Sequence, residues 1–83
     1  MPLSEHERAV LIALCRPIAT SMSSTPATNV DIGEEIFLAV DAVKAHMRML
    51  FDRFGLSDLP PEEKRHRLVS IVLGEGILGP QDF

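Results

Sequence analysis

Lys44 and Arg48 stand four residues apart in the stretch DAVKAHMRMLFDRF, residues 41–54, so on a helix they lie one above the other. Two cations on one helix face can neutralise phosphates or fork onto a guanine edge. Asp41, small Ala45 and Asp52 share that face, which is therefore polar and sterically open. The other side carries Val43, Met47, Leu50, Phe51 and Phe54 at i, i+4, i+7, i+8 and i+11, the period of a helix that buries one stripe. Such a helix has the shape to lie in a major groove. Periodicity alone fits an ordinary solvated amphipathic helix better, so the neighbouring sequence has to decide.

The remaining reactive residue types form no catalytic constellation. Glu34 with Glu35 and Glu62 with Glu63 are adjacent pairs, which diverge by about 100° on a helix and do not share a substrate. His6 and His66 lack a plausible nucleophile, and His46 has no Cys or His at ligand spacing. There is no glycine-rich phosphate cradle, nucleophile elbow or metal cluster. The expectation is a protein that is not an enzyme and carries no cofactor or metal. The run KRHR, residues 64–67, leaves two readings open: phosphate contact at a groove edge, or balancing of Glu62 and Glu63 through i to i+3 and i+4 pairs.

Eighty-three residues make one small domain, 1–83, with a core thin for its surface. Hydrophobic residues are 46% but aromatics only 5%, so the core is aliphatic and methionine-containing, with Phe37, Phe51 and Phe54 as its large pieces. No stretch alternates for long, which excludes a strand-rich fold and predicts an all-α one. Cys15, the single cysteine, cannot form an internal disulfide and sits in the apolar run ALIALC. That placement predicts a core residue in a reducing, cytoplasmic protein. No run is long enough to span a membrane. The net charge of −4 weighs against non-specific nucleic-acid binding. Six of the eight cations nevertheless fall in the second half of the chain, from Lys44 to Arg67.

Four helices are expected. The first, about 5–16, opens on the capping box Ser4–Glu7 and should stop or kink at Pro17. Residues 18–27 are rich in Ser and Thr and read as a long loop, flexible rather than a contact element. Thr28 and Asp31 cap a second helix, about 29–37, that buries Ile32, Ile36 and Phe37. Within it, Gly33 should permit a close approach of a neighbouring helix. Leu38, Ala39 and Val40 form a three-residue turn to the third helix, about 41–54, which ends at Gly55. The fourth, about 61–73, begins at Pro61 and buries Leu68, Ile71 and Val72. The closing residues GPQDF should fray.

With these residues in view, the chain resembles the helix-turn-helix module of LuxR/GerE-type transcription regulators. The match is carried by LSEHERAVL at 3–11, TNVDIGEEIFL at 28–38 and VKAHMRMLFDRFGL at 43–56. It is also similar to variants of that module attached to regulators with phosphopeptide-binding FHA domains, through its DLP segment and KR-containing start of helix four. The resemblance implies a four-helix domain whose third helix enters the DNA major groove. The implied DNA-facing residues are Thr28, Asp41, Lys44, Ala45, Arg48, Lys64 and Arg65. It further implies a homodimer through helix four and a fused or partner sensory domain. His46 matches the family's histidine, but its place beside the apolar stripe favours packing over base reading.

Three departures accompany the resemblance. Ala39 stands where the family has a capping Ser or Thr, so Asp41 is expected to cap instead; Val30 and Glu35 replace cations of helix two; the Ser/Thr-rich loop replaces a short glycine-containing turn. For helix four, Val69 and Leu73 could form an exposed dimerisation strip or pack under the C-terminal tail, and the second is slightly favoured. The rival function is an acidic helix-turn-helix scaffold that docks onto another protein.

Overall fold

Ser4 closes the start of α1, Glu5–Thr20, in the computed structural model, which describes residues 3–83. Its hydroxyl accepts from the Glu7 amide at 3.1 Å while the Glu7 carboxylate accepts from the Ser4 amide at 2.9 Å. This satisfies two helix-end donors reciprocally. α1 buries Val10, Leu11, Ala13, Leu14 and Cys15. It runs a turn past the expected stop at Pro17, because a proline this near the end withholds only one donor from the ladder. The Pro17 carbonyl is then capped by the amides of Ser21 and Ser23 at 3.1 and 3.0 Å, and Thr20 donates to the Arg16 carbonyl.

The loop that follows is exposed at its middle and pinned at its far end. Ala27 is buried, and its amide donates to the Leu14 carbonyl at 3.1 Å. The expected flexible loop over residues 18–27 is thus shorter at both ends, since residues 18–20 belong to α1 and Ala27 is tied to it. Thr28 then caps α2, Asn29–Ile36, through the expected reciprocal box with Asp31.

α2 ends on Phe37, a non-glycine residue in the left-handed region at φ 59° and ψ 46°. That conformation satisfies the last carbonyls, with Leu38 donating to the Gly33 carbonyl at 3.0 Å. It also swings the side chain off the helix's apolar stripe. Phe37 is 92% exposed, contrary to its expected place in the core; Ile36 and Leu38 pack there instead. A Cβ on Gly33 would stand 2.5 Å from the Leu38 carbonyl oxygen. The close approach that Gly33 permits is thus to the turn itself, which draws α2 against the start of the next helix.

α3 spans Val40–Arg53, one residue earlier than expected at each end. Ala39 occupies the N-cap in extended conformation with no side-chain hydrogen bond, so Asp41 does not take over the capping role. Val43, Met47, Leu50 and Phe51 are buried as the period requires, and Phe54 is half-buried. The reversal after α3 uses Gly55 at φ 72°, with Leu56 donating to the Phe51 carbonyl at 2.8 Å.

α4, Pro61–Gly74, buries Leu68, Val69 and Val72, while Ile71 is only half-buried. Val69 therefore belongs to the core and forms no exposed strip. The closing residues are not frayed: Leu78 is buried, Pro80–Asp82 form a 3-10 turn, and Asp82 pairs with Arg8 of α1. Each of the other helices packs on α1, and α2 packs on α3, around one aliphatic core. Cys15 lies in that core, where burial pushes its thiol up to about 12 and keeps it protonated. Among the described residues no helix is long and apolar enough to cross a membrane.

Three measurements test this account. Helix propensity alone would make Gly33→Ala stabilising by about 1 kcal/mol. The clash with the Leu38 carbonyl predicts instead a net loss of roughly 1 kcal/mol or more in chemical denaturation. Ala39→Ser, in a backbone already set for capping, should gain about 1 kcal/mol in the same assay. Finally, the Gly79 amide is the main cause that holds the Asp82 carboxyl below its usual value; desolvation opposes it, and the hydrogen bond and charge of Arg8 each add a smaller lowering. A depressed folded-state value stabilises above the ordinary carboxylate range and is lost as pH falls through it. Asp82→Asn should therefore lose less stability than the wild type between neutral and acid pH, read by thermal melts.

Candidate functional site

The chain's eight Lys and Arg side chains divide into two groups by what they touch. Arg8 pairs with Asp82, Arg16 with Glu35 at 3.2 Å, Arg53 with Glu7 at 2.9 Å, and Arg67 with Glu63 at 3.7 Å. Lys44, Arg48, Lys64 and Arg65 form no ion pair among the described residues. An acidic net charge thus coexists with four cations that stand outside any ion pair among the described residues. Glu35, expected to repel a phosphate backbone, is itself held by Arg16.

Three of those four cations converge. Lys44, Met47, Arg48 and Phe51 form a stripe at i, i+3, i+4 and i+7 along one shoulder of α3, and this stripe lines a cleft of about 330 Å³ with Asn29, Ser57 and Lys64. Met47 and Phe51 are buried and form its apolar wall. Lys64 reaches over the Phe51 ring, its Nζ 5.0 Å from the centroid, a cation–π contact that holds the ammonium at the cleft. α4 positions it there because Pro61 starts the helix and Lys64 falls at the end of the first turn.

Arg65, also in the DNA-facing set, plays a different part. It is half-buried, and its guanidinium donates to the Ala27 carbonyl at 2.8 Å and to Asn29 Oδ1 at 3.0 Å. Burial lowers its pKa from the ordinary value. Its guanidinium joins the start of α4 to the start of α2 and positions Asn29. Thr28 is engaged in capping α2, its Oγ1 accepting from the Asp31 amide at 3.1 Å. Asp41 and Ala45 are exposed on α3 but do not line the cleft. His46 is half-buried and stacks on His6, ring centroids 5.7 Å apart and planes within 6°.

The structure therefore brings together Lys44, Arg48 and Lys64, places Ala45 and Asp41 on the adjoining open face, and withdraws Arg65 into a supporting contact. Sequence reasoning missed Asn29 and Ser57. Asn29 is the first residue of α2, and its significance arises only from the Arg65 contact across 36 residues. Ser57 lies in the turn after α3, where nothing in spacing distinguishes it from other turn serines. Among the described residues no group of three or more His, Cys, Asp or Glu side chains is placed to hold a metal. Compared with family models, curated proteins and solved structures, the chain matches none.

Proposed function

We propose that this protein is a DNA-binding module of a transcription regulator, placing α3 in the major groove. The observation that supports it most is the allocation of charge: four cations are paired with the protein's own carboxylates, while Lys44, Arg48 and Lys64, on and beside one helix, form no ion pair among the described residues. Uncompensated cations along a helix are what phosphate neutralisation uses. Ala45 keeps the adjoining face low enough for close approach, and the three-residue turn of residues 37–39 between α2 and α3 suits a helix-turn-helix unit. The sequence resemblance to LuxR/GerE-type modules points the same way.

In this reading Lys44 and Lys64 meet phosphates and set register, while Arg48 can reach a guanine edge. Thr28 and Asp41 flank the approach from the starts of α2 and α3. A dimer on paired half-sites, a partner sensory domain and a cytoplasmic setting complete the proposal. Dimerisation through α4 has less support than the sequence suggested, since Val69 is buried.

The rival reading, a protein-docking scaffold, is favoured by one observation. Phe37 is held 92% exposed in a left-handed conformation where glycine would fit without strain.

Fluorescence anisotropy with random duplex at graded salt separates the two. On the DNA reading, Lys44→Ala weakens binding for every sequence and reduces the salt slope by about one, whereas Arg48→Ala relaxes preference at one base pair. Absence of binding at low ionic strength would leave only the docking reading.

A further inference from the structure

We infer that the cleft between α3 and the start of α4 is a phosphate-binding site in its own right, with Lys44, Arg48 and Lys64 as cationic ligands and Asn29 and Ser57 as neutral donors. It deepens the DNA reading, on which its natural ligand rests, but the chemistry of the cleft can be measured without DNA.

Among the described residues, the polar side chains lining the cleft can all donate and none is a carboxylate. Asn29 lines the cleft with its amide held at one end. A guanidinium can only donate, so Arg65 must hold the oxygen end of the Asn29 amide. The NH2 end forms no hydrogen bond among the described residues. Lys64 is restrained over Phe51, and the buried Met47 and Phe51 side chains reduce solvent screening on one side. Lys44, Arg48 and Lys64, without ion pairs among the described residues, share one cleft, so their charges repel and an anion relieves that repulsion. A tetrahedral phosphate offers oxygens in several directions, which suits donors arriving from α2, α3, α4 and the turn at Ser57.

The ligand chemistry is a phosphate group, and it has two sources: a backbone phosphodiester of DNA or a small phosphorylated molecule. NMR titration of the full chain with inorganic phosphate, against chloride at matched ionic strength, provides the test. Saturable shifts are expected at Asn29, Lys44, Arg48, Ser57 and Lys64. Lys64→Gln should weaken apparent affinity roughly fivefold, about the worth of one partly exposed charge contact. Arg67→Gln removes the same charge from the same helix but outside the cleft, and should leave affinity unchanged. Lys44→Gln, on the exposed shoulder of α3, repeats the test in a variant that leaves the contact with Phe51 intact.

No saturable shift, or an equal loss in the Lys64 and Arg67 variants, overturns the inference. Competition by a random duplex assigns the site to backbone phosphate. Phosphate binding without duplex binding upholds the cleft and defeats the DNA reading. Duplex binding that ignores Lys64→Gln, with no phosphate shift, does the reverse.

Discussion

The approach of the Leu38 carbonyl to Gly33 is the constraint on which the placement of α3 depends. Without a side chain at Gly33, α2 can end on a left-handed residue and the chain can turn within residues 37–39. Val43 then drops into the core beside the turn, and the amphipathic period of α3 carries Met47, Leu50 and Phe51 after it. Rotating α3 about its axis would expose those groups, at a cost of roughly 1.5–3 kcal/mol for each large side chain. The same burial that stabilises the domain therefore settles which way Lys44 and Arg48 point.

Charge is distributed to the same effect. Arginines near the edges of the packing are tied to carboxylates: Arg8 to the tail, Arg16 to α2, Arg53 to the start of α1. Such pairs contribute little individually when solvated. Collectively they decide where potential is left over. What remains lies along α3 and the first turn of α4, so a chain of net charge −4 can still present a local cationic surface.

Arg65 links these two themes. Its guanidinium joins the start of α4 to the loop before α2 and satisfies the Ala27 carbonyl. The Ser/Thr-rich loop is thereby made part of the structure at one end while its middle stays exposed. The same guanidinium fixes the Asn29 amide at the edge of the cleft.

Sequence alone determined the local features: both capping boxes, the apolar period of α3, the proline start of α4 and the all-α class follow from interactions within three or four residues, which spacing encodes directly. Lys44, Ala45 and Arg48 were legible as a face for the same reason. Tertiary structure decided what depends on distant partners. Phe37 left the core because satisfying the end of α2 required a left-handed residue. The tail ordered because Asp82 found Arg8 across 74 residues, and Asn29 and Ser57 entered the cleft because α2, α3 and α4 meet there. Contacts of that range are selected by packing of the whole chain, and no periodicity records them.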